Sequence, residues 1–137
     1  RIAIGGTGCA DSGGVVNTMT FSGCPDLGTT LSVEMNTSPG ATGPLFLLFG
    51  LSDQNWGGIV LPLDLGPFGA PGCFNYVSHE FGLGGLAPVG GQATLGLAIP
   101  ATPYLAGATS YLQFYHLDPG LNPLNLATSD YLTVTIG

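Results

Sequence analysis

Tyr131-Leu-Thr-Val-Thr-Ile136 decides the fold class. Leu132, Val134 and Ile136 alternate with Tyr131, Thr133 and Thr135. That period of two belongs to a strand with one buried face, because successive side chains on a strand point to opposite sides. The same pattern recurs upstream. Leu31, Val33 and Met35 alternate with Ser32, Glu34 and Asn36; Leu95, Leu97 and Ile99 with Thr94, Gly96 and Ala98; Leu112, Phe114 and His116 with Tyr111, Gln113 and Tyr115. Leu45-Phe-Leu-Leu-Phe49 is apolar on both faces and reads as a central strand covered on each side. Residues 15–21, 58–63 and 73–78 supply three further strands. Turn signals separate these runs, among them Ser12-Gly-Gly, Ser38-Pro-Gly, Asp53-Gln-Asn and Asp118-Pro-Gly. The expectation is an all-β chain: a single β-sandwich of about eight mainly antiparallel strands spanning residues 1–137. Pro103 to Gly107 suits one short helical turn, and nothing has the length and period of a longer helix.

Composition narrows the function classes. Of 137 residues, Gly accounts for 24 and Pro for 11, while charged residues are 7% and the net charge is −7. An ordinary soluble domain carries roughly 25% charged residues. The only basic residue is Arg1. A polyanion partner is excluded, since nothing neutralises phosphates, so nucleic acid is not a partner. Attraction to an anionic membrane fails for the same reason, and no apolar run reaches the ~20 residues of a membrane helix. Hydrophobic residues at 45% argue against disorder. The glycines lack the three-residue period of collagen. A start at Arg, with no signal-type apolar core, reads as a mature, secreted product.

Cys9, Cys24 and Cys73 make an odd count. Cys9 and Cys24 flank the apolar segment Val15–Phe21, and a disulfide between them would close about 15 residues for roughly 3 kcal/mol. Cys73 is then a buried free thiol or an intermolecular partner. Three scattered cysteines with His79 and His116 do not form a zinc pattern. The six aspartates, Asp11, Asp26, Asp53, Asp64, Asp118 and Asp130, sit in or near turns and read as caps. No D-x-D-x-D ladder marks calcium. No metal or cofactor is expected.

The opening Arg1-Ile-Ala-Ile-Gly-Gly6 pairs alternating Ile2 and Ile4 with a Gly-Gly joint. It reads either as an edge strand of the same sandwich or as a strand donated to a neighbouring subunit.

Gly-Thr-Gly-Cys-Ala-Asp-Ser-Gly-Gly at 6–14, Phe-Ser-Gly-Cys-Pro at 21–25, Leu-Phe-Gly-Leu-Ser at 48–52, Leu-Pro-Leu-Asp-Leu-Gly at 61–66, Gly-Ala-Pro-Gly-Cys at 69–73 and Leu-Ala-Thr-Ser-Asp at 126–130 follow in order. Together they resemble a Gly/Pro-rich β-sandwich module of secreted proteins from planctomycete-like bacteria. The resemblance implies secretion and a β-sandwich, and it carries no catalytic residues.

Chemistry-bearing residues are few. Ser78-His79-Glu80 holds triad residue types, but neighbours on a strand face opposite ways and form no relay. His79 reads as a surface loop residue, and His116 as a core-edge histidine with one hydrogen bond. No carboxylate pair is nominated for acid–base work, so an enzyme is not expected. Trp56 lies in a polar loop, either folded over the core or exposed for stacking. Tyr111, Tyr115 and Tyr131 fall on outward faces that suit contact surfaces. Asn36-Thr37-Ser38 is an N-glycosylation sequon followed by Pro39.

Two functions are expected from these residues. The first is a secreted structural subunit that self-assembles into an extracellular filament or surface layer by edge pairing or strand donation. Its subunit-contact candidates are Ile2, Ile4, Trp56, Tyr111, Tyr115 and Tyr131, and its partner is a homo-oligomer or homopolymer. The second is a carbohydrate-binding or adhesion module, with glycans as partners and Trp56 and the tyrosines as stacking platforms.

Overall fold

The computed structural model describes residues 1–137. Twelve strands follow in order: β1 (Ile2–Gly5), β2 (Thr18–Ser22), β3 (Thr30–Asn36), β4 (Leu45–Gly50), β5 (Asn55–Trp56), β6 (Ile59–Val60), β7 (Leu63–Asp64), β8 (Phe74–Asn75), β9 (Phe81–Leu86), β10 (Gln92–Ala98), β11 (Thr109–Leu117) and β12 (Leu126–Thr135). Short 3-10 turns cover Gly66–Phe68 and Pro103–Leu105. The chain is all-β, with every pairing antiparallel.

A five-stranded sheet runs β1-β12-β11-β4-β9, and a three-stranded sheet runs β10-β3-β2. Their facing sides make the main core. Met19, Leu31, Val33 and Met35 come from the smaller sheet; Leu45, Leu47, Leu112, Phe114, Leu132 and Val134 come from the larger. The alternation in β3, β11 and β12 therefore faces inward as its period requires.

The strand count exceeds about eight because four pieces are two-residue ladders, β5-β6 and β7-β8. The expected strands at 58–63 and 73–78 shrink to these ladders. Pro62, Gly66, Pro67, Gly69, Pro71 and Gly72 interrupt the segment every few residues, so no longer ladder can propagate. Residues 51–80 instead form a third layer on the far side of the large sheet. They enclose a second core of Cys9, Leu65, Ala70, Cys73, Leu126 and Ala127, with Tyr115 packed against it.

The N-terminal segment takes the edge-strand alternative. β1 pairs with β12 of its own chain, Ile2 opposite Val134 and Ile4 opposite Leu132. Gly5-Gly6 is not a loose joint. A Cβ on Gly5 would stand 2.9 Å from the Tyr131 ring, and one on Gly6 2.5 Å from the Tyr76 ring. The two glycines make the slot into which both aromatic rings pack. The Tyr76 hydroxyl accepts the Thr7 N–H and donates to the Thr7 carbonyl, fastening this slot.

The disulfide also differs from expectation. Cys9 bonds Cys73, with Cα atoms 5.1 Å apart, and Cys24 is free and exposed. Cys9 is drawn to β12 by its own N–H donating to the Thr128 carbonyl and by the Thr128 N–H on its sulfur. Cys73 sits beside Leu126 in the same second core. Cys24 lies past the far end of β2, which carries the chain away from Cys9.

β12 bulges against β11: Gln113 faces Tyr131, yet Tyr115 faces Thr128. The bulge directs Asp130 toward β2, where its Oδ1 accepts the Met19 N–H at 2.8 Å. Burial raises the Asp130 pKa, against the opposing Met19 hydrogen bond, so the folded state disfavours its charge. Stability from this group is present below the ordinary carboxylate value and is lost as pH rises through the folded pKa. Asp130→Asn keeps the acceptor and removes the charge, so it should raise the urea midpoint at neutral pH. Asp130→Ala should lower the midpoint by orphaning the Met19 N–H, at about 1–3 kcal/mol.

Candidate functional site

Three features could carry function: the sheet edges, the aromatic layer and a buried polar network. The edges of the large sheet are β1 and β9; those of the small sheet are β10 and β2. β12 packs beside β2, and the residues at 87–91 carry β9 directly into β10. β9 and β10 are therefore joined by a short connection at the side of the sandwich away from β12 and β2. Asp130 occupies the β2 side. β9 (Phe-Gly-Leu-Gly-Gly-Leu) and β10 (Gln-Ala-Thr-Leu-Gly-Leu-Ala) contain no charge and no proline. Indeed no Asp, Glu, Lys or Arg falls between Glu80 and Asp118. Natural edges are normally guarded by Lys, Pro or bulges because their unpaired N–H and C=O groups template further pairing; β9 has a bulge against β4 at Gly84–Gly85, whereas β10 pairs with β3 without one. Phe81 and Val89 are exposed at this side, and Ile4 at the other. Of the contact candidates, Ile4 is 56% exposed, while Ile2 is half-buried and packs on the main core.

The aromatic candidates form a layer rather than an open platform. Trp56 stacks on His79 with centroids 4.1 Å apart, and His79 meets the edge of Tyr115 at 5.5 Å. Tyr76 stacks on Tyr131 at 5.2 Å, and Tyr111 lies 6.5 Å from Tyr131. The Tyr131 hydroxyl donates to Asp53 Oδ2 at 3.1 Å. Residues 51–80 thus roof the tyrosines that the alternation places outward, and one face of Trp56 is taken by an imidazole. His79 is half-buried, not a free surface residue, and Asn75 Oδ1 lies 2.7 Å from its Nε2. Ser78 and Glu80 bond each other through Oγ and Oε1, with His79 turned away from them. Asn36 Nδ2 donates to the Thr18 carbonyl and Thr20 Oγ1, and its Oδ1 accepts from Gln92 Nε2, so a glycan on Nδ2 would displace one of the two Nδ2 bonds.

The polar network joins residues that the sequence separates widely. Asp11 is buried and accepts from the N–H groups of Gly13, Val15 and Ser38 and from Asn17 Nδ2. Asn17 Oδ1 faces His116 Nδ1 at 2.9 Å. Asp118 accepts from the Ser12 N–H at 2.7 Å and the Ser12 hydroxyl at 2.9 Å. Burial alone would raise the Asp11 pKa, but the bonds from Ser38, Asn17 and Val15 outweigh it and hold the carboxyl ionised below its ordinary value. His116 is fully buried, so the expectation of a core-edge histidine placed it too near the surface, whereas its single hydrogen bond is present.

Burial lowers the pKa of His116, against Asp118 and Asp11, and lowers that of His79, against Glu80. A histidine whose folded pKa is depressed binds fewer protons in the folded state. Its stabilising contribution is complete above the ordinary value of 6.5 and is lost as pH falls through the folded values. Urea midpoints should therefore fall steadily on acidification below pH 6.5, and a His79→Gln chain should show a shallower decline.

No group of three or more His, Cys, Asp or Glu side chains is arranged to hold a metal ion. No helix is long and apolar enough to cross a membrane. No protein-family model, curated protein or solved structure matches the chain.

Proposed function

We propose that this chain is a secreted structural subunit that self-assembles by pairing its sheet edges into an extracellular filament or layer. The observation that carries the proposal is a pair of sheet edges without a single charge, β9 and β10, of which β10 has neither proline nor bulge. A second edge, β1, stands at the opposite end of the large sheet. Pairing of β9 with β1 of the next copy would continue the sheet head to tail, and a head-to-tail contact that does not close builds a filament. The β1 strand then serves as an acceptor edge while staying in its own sheet. The disulfide between buried cysteines supports an oxidising, extracellular setting.

Two substitutions test this without disturbing the core. Thr94→Lys on β10 faces Glu34 across the β3 pairing, so the added cation gains an opposite-charge neighbour. Gly82→Lys on β9 places its Cβ in ordinary contact with Leu48, 3.4 Å away. Wild type should sediment as high-mass species and show regular polymers by negative-stain electron microscopy. The double variant should sediment as a monomer with an unfolding midpoint unchanged within about 0.5 kcal/mol. A monomeric wild type at high concentration, or a double variant that polymerises as wild type does, would overturn the proposal.

A further inference from the structure

The outward-facing groups of β10 follow from the bonds at its two ends. The Thr37 N–H donates to the Gly91 carbonyl and the Ile99 N–H to the Thr29 carbonyl, each at 2.8 Å. Bonded positions alternate along an antiparallel ladder, and β10 meets β3 without a bulge. Odd-numbered residues of β10 therefore bond β3, and even-numbered ones turn their N–H and C=O groups outward. Gln92 agrees with this parity: it exchanges both groups with Val89, at 2.9 and 3.3 Å. At the other end Pro100 has no N–H to offer. Thr94, Gly96 and Ala98 are left between these stops. All three are exposed, and their outward groups have no partner within the chain, because β10 is the last strand of its sheet.

A second copy of the same edge matches it in length, bonding and charge. A two-fold axis through Gly96, perpendicular to the sheet, sets Gly96 opposite Gly96 and each Thr94 opposite an Ala98, all in hydrogen-bonded pairs. Every outward N–H then meets an outward carbonyl. On the core side the axis sets Leu95 of one copy opposite Leu97 of the other, in the non-hydrogen-bonded pairs where side chains stand closest. Both leucines are half-buried at the margin of the main core, so pairing covers what a single chain leaves open. On the outer face glycine meets glycine and threonine meets alanine, and no bulky pair crowds the seam. Charge does not oppose the contact, although each chain carries −7. The only acid in the three strands of this sheet is Glu34 on β3. Two copies of Glu34 would stand at least three strand spacings apart, about 14 Å, beyond the screening length of about 8 Å at physiological salt. We infer that β10 is a self-pairing edge: two copies join through it about an axis at Gly96, and their three-stranded sheets become one continuous sheet. The inference rests on the reading above that open edges of this chain pair between copies, and it names the partner of β10. β9 and β1 stay free for head-to-tail growth, so the two contacts together build a paired filament.

Gly82→Lys alone guards β9 with a charge and leaves β10 as it is. It should sediment as a dimer that dissociates on dilution, and the amides of Thr94, Gly96 and Ala98 should exchange more slowly as concentration rises. Adding Gly96→Pro removes the N–H at the axis, which β3 does not use, and should weaken the dimer by roughly tenfold or more. Cysteine pairs in a Cys24→Ser, Gly82→Lys background read the register without relying on a weakened fold. Gly96→Cys sets two Cα atoms about 5.5 Å apart across the axis, within the roughly 4.4–6.8 Å of a disulfide. Its Cβ meets only the end of the Thr30 side chain, 3.3 Å away. This variant should cross-link on mild oxidation, whereas Thr94→Cys, with its counterpart roughly 14 Å away, should not. Cross-linking of both variants alike, or of neither, would overturn the inference. So would a Gly82→Lys monomer at every concentration, which would leave the edge to a strand of another protein. Head-to-tail growth is judged separately: wild type that forms dimers but no polymers overturns that growth and supports the β10 pairing.

Discussion

Reducing the Cys9–Cys73 bond, or replacing Cys73 with Ser, should cost about 4 kcal/mol of stability. The bond spans 64 positions, and closing a loop of that length in the unfolded chain falls between the ~3 kcal/mol of a short loop and the ~4.7 of a hundred-residue one. Its consequences should be local first. Cys9 and Cys73 both belong to the second core, the only sizeable apolar cluster beneath residues 51–80. Without the bond, the N-terminal segment and that outer layer lose their covalent tie, while the core between the two sheets keeps all its members. Urea denaturation with and without dithiothreitol reads the loss directly. Cys24→Ser removes an exposed thiol and should change the midpoint by no more than about 0.5 kcal/mol. Destabilisation by Cys24→Ser with none by Cys73→Ser would instead establish the pairing of Cys9 with Cys24.

That contrast also marks where sequence patterning stops being informative. β3, β10, β11 and β12 are legible because each buries one face against a single partner layer, and a period of two records this. β9 is not, since Phe81-Gly-Leu-Gly-Gly-Leu86 breaks its alternation with glycine and gains its strand state from β4. The outer layer is invisible for a different reason. Its ladders are two residues long, and its anchors are side chains on strands far away in sequence, such as Gln113 for Phe74 and Tyr76. Short separation made Cys9 and Cys24 an attractive pair, yet β2 carries the chain away between them. His79 looks like a surface residue beside Ser78 and Glu80, but Trp56 is brought onto it from 23 positions upstream. The Ser12–Asp118 bonds cross 106 positions, and no local pattern announces them. The stretch between Glu80 and Asp118 holds no Asp, Glu, Lys or Arg; what needed the structure was that β9 and β10 within it are each a sheet edge.

Gln113→Leu should be among the most damaging single substitutions in the chain. The side chain is fully buried on β11. Its Nε2 donates to the Phe74 carbonyl at 2.8 Å and the Ser129 carbonyl at 2.9 Å, and its Oε1 accepts the Tyr76 N–H at 2.9 Å. One amide thereby ties the outer layer to the large sheet and satisfies the backbone at the β12 bulge. Leucine fills a similar volume but supplies neither donor nor acceptor, leaving three backbone groups to be hydrated or orphaned. At about 1–3 kcal/mol for each buried group left unpaired, and with partial relief by water for some, the expected loss is about 4 kcal/mol. Gln113→Glu should fare no better at neutral pH, because it sets a carboxylate against two carbonyl oxygens. Hydrogen exchange separates this mechanism from general loosening of the core. Tyr76 N–H should lose its protection in Gln113→Leu, whereas the amides of Leu112 and Leu132, inside the main sheet, should exchange only with global unfolding. Equal loss of protection at Tyr76 and Leu132 would mean that the outer layer and the sandwich unfold as one unit and that Gln113 is not the tie between them.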